Sequence, residues 1–285
     1  MQIYHLNAGS MRPFSARLVN GQGGFFERAR LVCHILLVEL KSGLLLVDTG
    51  FGLNDIAHRK AFPAAFKVIA PRLERFECAI EQMRSLGYAG DDVHHIVMTH
   101  LDRDHAGGLA DFPNASVHLH RREHQSAVTG ELPARPGRYG SYQWAHGPRW
   151  VPYDRFDDDW FGLPSVRIDV DGGADVRLVP LLGHTAGHSG VAIKTGQGWI
   201  LHAGDSYYHR GLVATPPSPT PPALGFLTRR AESDREQRVA SEHKVRELRR
   251  RTDLVMFCAH DPVEFDRLSA ANPPRRSSAD ISAAG

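Results

Sequence analysis

Within six positions, His100-Leu101-Asp102-Arg103-Asp104-His105, the chain carries four groups able to bind a divalent cation. An apolar, β-like run, Ile96-Val97-Met98-Thr99, leads into them, and Ala106-Gly107-Gly108 follows. Far downstream, His184 stands in Gly-His-Thr-Ala-Gly-His, Asp205 in Ala-Gly-Asp-Ser and His260 in Ala-His-Asp. Together these seven residues read as the ligand set of a two-metal site. Ligands on short loops at strand ends are held by a rigid sheet and still reach a common point. His100 and Asp102 can address one cation; Asp104 and His105 can address a second as the chain curls into a short helix. The glycines then let backbone pass close to the metals without a Cβ clash. Imidazole with carboxylate suits zinc, iron, manganese or cobalt. Two such ions about 3.5–4 Å apart can share a water and lower its pKa from roughly 16 to about 7, giving hydroxide without a serine or cysteine nucleophile.

The elements that must position these groups alternate between strand and helix. Leu31 to Leu40 and Leu44 to Val47 read as strands joined at Lys41-Ser42-Gly43, the second ending in Asp48-Thr49-Gly50. Arg72 to Leu86 reads as an amphipathic helix, with Leu73, Phe76, Ile80, Met83 and Leu86 at helical spacing and Gly87 as its stop. Ser116 to Leu119 is a strand and Arg121 to Ala127 starts a helix. Between Gly130 and Pro164 eight aromatic residues (Tyr139, Tyr142, Trp144, Trp150, Tyr153, Phe156, Trp160 and Phe161) argue against disorder, and the segment is expected to form a lid or pocket wall. Strands resume at Val166 to Val170, Val176 to Val179, Val191 to Lys194, Trp199 to His202 and Leu254 to Cys258. Thr215 to Pro222, with five prolines, should be stiff. Thr228 to Arg251 is expected to be a surface helix, its apolar stripe being thin.

With 285 residues, 42% of them hydrophobic, the chain can bury a sizeable core. No linker divides it, so residues 1–270 are expected to form one domain and 271–285 a flexible tail. A net charge of +2 is too small to imply a nucleic-acid or membrane partner. Cys33, Cys78 and Cys258 are too scattered for a disulfide framework. The first residues lack a signal-peptide pattern, and no apolar run reaches membrane-spanning length. A reducing, cytoplasmic location is expected. Most of the 17 histidines must be bystanders. His94 and His95 are read as solvated or hydrogen-bonded to backbone, His118 and His120 as a surface or packing pair, His188 as a structural hydrogen-bonding group, and His202 and His209 as candidates for supporting a ligand.

His100 to His105 resembles the His-x-His-x-Asp-His signature of the metallo-β-lactamase superfamily. The resemblance extends, in order, to Asp48-Thr49-Gly50, to Gly183-His184-Thr185-Ala186-Gly187-His188, to Gly204-Asp205 and to Ala259-His260. It implies a four-layer αββα sandwich, an α/β fold of two mixed sheets with outer helices and the metals at one edge. It further implies one metal on His100, Asp102 and His184, a second on Asp104, His105 and His260, and Asp205 between them. Asp104 would orient the bridging hydroxide and pass a proton to the leaving group, while Asp48 would hold a histidine or loop in place. Where the family carries histidine, this chain has Asp102. That carboxylate should remove about one unit of positive charge from the first position and favour harder ions. Zinc remains the first expectation of the two divalent ions, with manganese or iron gaining. Flavodiiron proteins of the same superfamily carry glutamate at the matching place and bind iron.

Within the superfamily, Asp205-Ser206-Tyr207-Tyr208 and His260-Asp261 are most similar to N-acyl homoserine lactonases, the quorum-quenching enzymes. The likeness assigns Tyr208 to the substrate carbonyl, where a phenol can hold an oxyanion. The implied activity is attack of a metal-bridged hydroxide on a lactone or carboxylic ester carbonyl of a small molecule. The rivals are a thioesterase or phosphodiesterase on the same metals, a diiron redox protein and a non-catalytic scaffold. An exposed aromatic lid would also fit a homodimer interface.

Overall fold

The computed structural model describes residues 1–64 and 66–271. Twelve strands form two six-stranded mixed sheets. The first takes β1 (Ile3–Met11), β2 (Leu31–Leu40), β3 (Gly43–Val47), β4 (Val93–Val97), β5 (Ser116–His120) and β6 (Arg149–Tyr153) in sequence order. The second takes β7 (Asp158–Trp160), β8 (Leu163–Arg167), β9 (Val176–Pro180), β10 (Ser189–Thr195), β11 (Gly198–His202) and β12 (Leu254–Phe257), also in sequence order. β3 to β6 run parallel, as do β11 and β12; the other neighbours are antiparallel.

Period-two alternation explains the layering. In β2 and β3, Leu36, Val38, Leu45 and Val47 face the second sheet and pack with Val176, Leu178, Val191, Ile193 and Phe257. Their neighbours Leu37 and Leu46 face outward onto Ile80 and Met83 of the Ala79–Ser85 helix. On the far side, Val179, Ala192, Leu201 and Met256 pack against Val245 and Leu248 of the Arg235–Leu248 helix. Both faces of each sheet are therefore covered, and the expected αββα sandwich is what forms. No helix among the described residues is long and apolar enough to cross a membrane.

Several sequence expectations change. The Arg72–Leu86 helix begins only at Ala79; Leu73 has a left-handed backbone and Phe76 is exposed. The carboxylate of Glu77 accepts the backbone N–H and hydroxyl of Ser10, which ties this stretch to β1 before the helix starts. Thr228 to Arg251 is not one helix. Pro222–Ala231 ends, and Asp234 caps Arg235–Leu248 by accepting the Gln237 N–H. That second helix is packed on the sheet through Val245 and Leu248 rather than lying loose on the surface.

Of the segment expected to be a lid or pocket wall, residues 135–138 do line a cavity, and most of the rest packs into the body of the fold. Trp144 belongs to the first core and Trp160 to the third, Trp150 and Phe161 pack against those cores, and Tyr153 and Phe156 cover the inter-sheet core. From Arg149 onward the segment is strands β6, β7 and β8. The expected tail, 271–285, lies outside the described residues except for Ala271, which ends the last helix.

Candidate metal centre

The seven predicted ligands converge from four loops at one edge of the two sheets. β4 delivers His100, and Asp102 sits at the N-terminus of a one-turn helix, Arg103–Ala106, that carries Asp104 and His105. His184 comes from the loop between β9 and β10, Asp205 follows β11, and His260 follows β12. The turn after His105 is tight. A Cβ on Gly107 would lie 1.9 Å from an Asp55 carboxylate oxygen and 2.7 Å from the Gly50 carbonyl oxygen. The glycine thus makes room for the 50–55 loop rather than, as its sequence position suggested, for the metals.

Each histidine is oriented by its Nδ1, leaving Nε2 for the centre. His105 Nδ1 lies 2.8 Å from Asp48 Oδ2, and His260 Nδ1 lies 2.7 Å from the Val32 carbonyl. His100 Nδ1 is 3.0 Å from Thr99 Oγ1, and His184 Nδ1 is 3.4 Å from the Tyr208 hydroxyl. Asp48 also accepts the Thr99 N–H and hydroxyl, each at 2.7 Å, so one carboxylate sets both the β4 terminus and the His105 ring. Burial opposes its charge, but the His105 ring holds it down to about 2.

The donor atoms are spaced for two ions. Around a first point, Asp102 Oδ2 lies 3.5 Å from His100 Nε2 and 3.0 Å from His184 Nε2. Asp205 Oδ2 lies 3.8 and 3.4 Å from the same two nitrogens. Around a second point, Asp205 Oδ1 lies 3.4 Å from His105 Nε2 and 3.2 Å from His260 Nε2, and Asp104 Oδ2 lies 3.5 Å from His260 Nε2. Ligands bonded at about 2.0–2.1 Å to one tetrahedral ion stand roughly 3.3–3.4 Å apart, so the first set fits one ion, while within 4.8 Å the remaining donor atoms group as His100, His105 and Asp205 and as Cys33, Asp104 and His260. Asp205 turns one oxygen to each. His100 Nε2, His105 Nε2 and Asp205 Oδ1 are buried with no hydrogen-bond partner. A buried polar atom left this way is costly unless something absent from the chain satisfies it. The residues therefore fit a pair of divalent ions. Cys33, unassigned by sequence reasoning beyond a buried thiol, lies with Asp104 and His260 so that donor atoms of the three fall within 4.8 Å of one another.

Electrostatics distinguish the carboxylates. Burial pushes Asp104 up, while Asp205 is held well below the usual carboxylate range by His260 and His105 against its own burial. Asp102 is also held low, with Arg138 the leading cause against burial. Arg138 was invisible to sequence reasoning, since its partner lies 36 positions away in an irregular stretch. Its Nε and Nη2 donate to Asp102 Oδ1 and Oδ2 at 2.5 and 2.6 Å, a two-point fork. It alters the charge argument drawn from Asp102. The carboxylate removes about one positive charge at the first position and the guanidinium restores it. Only the preference of an oxygen donor for harder ions remains.

Tyr208 donates to Asp205 Oδ2 at 2.8 Å and stacks on the His260 ring, while Tyr207 is buried against Glu264. His188 binds the Leu181 carbonyl and the Asp205 N–H, a structural role as expected. His202 contacts the His34 carbonyl and the Gly204 N–H, and His209 the Gly211 N–H. His118 packs on Tyr153 and His120 on Phe156. A second residue that sequence reasoning missed is Glu123. Fully buried, it accepts the Leu101 N–H (3.0 Å), the Gly187 N–H (3.0 Å) and the Tyr139 hydroxyl (3.1 Å). It thereby fastens the two ligand loops to each other.

Over the site opens a cavity of about 520 Å³. Asp102, Asp104, His184, Asp205, Tyr208 and His260 form its floor, and Phe66, Ile69, Leu224 and Leu227 line its apolar wall. Arg135, Arg138 and Arg230 add cations, and from the aromatic segment only 135–138 reaches it.

The sequence model described as the Metallo-beta-lactamase superfamily matches residues 28–260. A probable metallo-hydrolase of Mycobacterium tuberculosis is 38% identical over 268 residues, spanning 92% of this chain and 81% of its own length. The N-acyl homoserine lactonase AttM of Azorhizobium caulinodans is 26% identical over 269 residues, spanning 92% of this chain and 94% of its own. Among solved structures, an N-acyl homoserine lactone hydrolase with N-hexanoyl-L-homoserine bound at its catalytic metal centre superposes with a TM-score of 0.69 at 21% identity, covering 94% of this chain and 97% of that one. A structure described as the dizinc quorum-quenching lactonase AidC does so with a TM-score of 0.60 at 18% identity, covering 91% and 87%. At those identities the likeness is one of fold.

Proposed function

The chain belongs to the metallo-beta-lactamase superfamily, and from that membership and its site we propose that it is a dinuclear metal-dependent hydrolase of lactones or carboxylic esters. One observation carries the reading: unpartnered donor atoms around Asp205 at the floor of an apolar-walled cavity. His100, Asp102 and His184 would hold one ion, Asp104, His105 and His260 the other, and Asp205 both. Zinc is the proposed metal. When bound, such a pair polarises a carbonyl oxygen and provides water of lowered pKa.

The chain's own residues do the rest. The wall formed by Phe66, Ile69, Leu224 and Leu227 takes an apolar acyl group. Tyr208 is placed to turn its hydroxyl from Asp205 to the carbonyl oxygen as charge develops there. Asp104, which lines the cavity, would pass a proton to the departing alkoxide. The N-acyl homoserine lactonases among the relatives support a lactone as the first substrate to try.

The test is metal content per chain by plasma mass spectrometry on protein expressed without added metal, followed by a panel of acyl lactones and esters. About two equivalents with lactone or ester turnover, abolished in Asp104→Ala and Asp205→Ala, is the expected result. Near-wild-type turnover in either variant would sink the mechanism. Arg135 and Arg230 at the cavity favour a second reading, an apolar group joined to an anionic one; phosphodiesters and thioesters in the same panel decide it.

A further inference from the structure

The two ion positions are not equivalent, and the difference lies in Arg138. Its side chain is 7% exposed. Besides the fork on Asp102, Nη2 lies 2.9 Å from His184 Nε2. Nη1 is anchored from behind by the Ala231 carbonyl at 2.6 Å and Ser233 Oγ at 3.2 Å. Two of the first position's donors are thus already satisfied by a cation that belongs to the chain. At the second position, no arginine or lysine among the described residues hydrogen-bonds to Asp104, His105 or His260. His105 Nε2 and the Asp205 oxygen facing it stand unpartnered, whereas at the first position only His100 Nε2 does.

We infer that Arg138 is a built-in competitor for the first ion, so that the positions load in order: Asp104, His105, His260 and Asp205 first, then His100, Asp102 and His184 after the guanidinium leaves His184. The inference rests on the metal-site reading above. His184 Nε2 has one lone pair, which can point at an N–H or at an ion but not at both. Charge acts in the same direction. Arg138 neutralises Asp102, so the first position offers two imidazoles and a share of Asp205, while the second offers an unneutralised Asp104 besides. Giving up one charge-assisted hydrogen bond weakens the first position by about ten- to a hundred-fold.

The experiment is calorimetric titration of the chelator-stripped full chain with zinc against a competing chelator, for wild type and Arg138→Gln. Wild type should take one equivalent tightly and a second at least about ten-fold more weakly. Arg138→Gln should strengthen the second step by that factor and leave the first unchanged. Two equally tight ions in wild type, or an unchanged second step in the variant, overturns the inference and leaves the hydrolase reading standing. No binding at either position overturns both. Should Arg138→Gln fail to fold, anomalous diffraction from wild-type crystals at one equivalent of zinc decides. Density at Asp104, His105 and His260 supports the order, and density at His100, Asp102 and His184 overturns it.

Discussion

Glu123→Gln changes one oxygen to NH2 and almost nothing in volume, so its effect isolates the hydrogen bonds of this carboxylate. The Leu101 N–H and Tyr139 hydroxyl reach Oε1, and the Gly187 N–H reaches Oε2. An amide has one acceptor oxygen. Keeping it on Oε1's two donors sets the new NH2 against the Gly187 N–H, and both groups are then buried without an acceptor. Each such loss costs about 1–3 kcal/mol, so a destabilisation of about 3 kcal/mol is the central expectation. With an m-value of about 3 kcal/mol/M in urea, the unfolding midpoint falls by roughly 1 M. The measurement is urea unfolding of metal-free wild type and variant, followed by fluorescence of the four tryptophans. Because the carboxylate joins the loop of His100 to that of His184, the variant should also retain less metal after dialysis. A midpoint within about 0.2 M of wild type, with metal content unchanged, would refute the view that this buried carboxylate fastens the ligand loops.

Tyr208→Phe should lower kcat by about 10- to 100-fold while metal content stays that of wild type, if the hydroxyl holds the oxyanion as proposed; steady-state kinetics on the best panel substrate reads this out. Gly183→Ala should destabilise by about 2–5 kcal/mol, since φ there is +117° and a Cβ would stand 2.1 Å from the Arg238 nitrogen; thermal unfolding checks it. His120 is held neutral by burial, its pKa lowered to about 4, and its Nδ1 accepts the Arg122 N–H. The unfolded ring takes up a proton near 6.5, so stability from this group is present above that pH and is lost as pH falls toward 4. The stability difference between wild type and His120→Gln should be constant above about pH 6.5 and shrink by on the order of 1–3 kcal/mol by pH 4. A parallel pair of stability curves across that window would contradict it.

What could be read from the sequence follows the range of the interactions. His100 to His105 is a local motif after an apolar strand, and the distant ligands each sit in a short turn of their own, so all seven could be picked out without knowing how they meet. β1 went unseen although Tyr4, Leu6 and Ala8 alternate with His5 and Asn7; the polar residues of the run are satisfied at a distance, His5 by the His34 ring of β2 and Ser10 by Glu77 of the 75–77 turn. The aromatic segment misled for the converse reason. Its rings obey no single period because they fill three different cores, and a periodic reading of one window cannot show that. The charge of Arg138 was plain in the sequence, but the fork it makes on Asp102 is a tertiary contact.

The division of the strands bears on synthesis. Every strand of the first sheet lies before residue 154, and every strand of the second after residue 157. His105 and His260 are 260 − 105 = 155 residues apart, which at about 5–20 residues per second is a delay of roughly 8–30 s on the ribosome. During that interval Asp104 and His105 wait for donors that have not been made. On the proposed ligand assignment, an ion held by both halves would be a latch that only a chain translated past His260 could close. A prematurely terminated copy can complete the first sheet's strands and still lack His184, Asp205 and His260, three of the seven donors of the proposed centre.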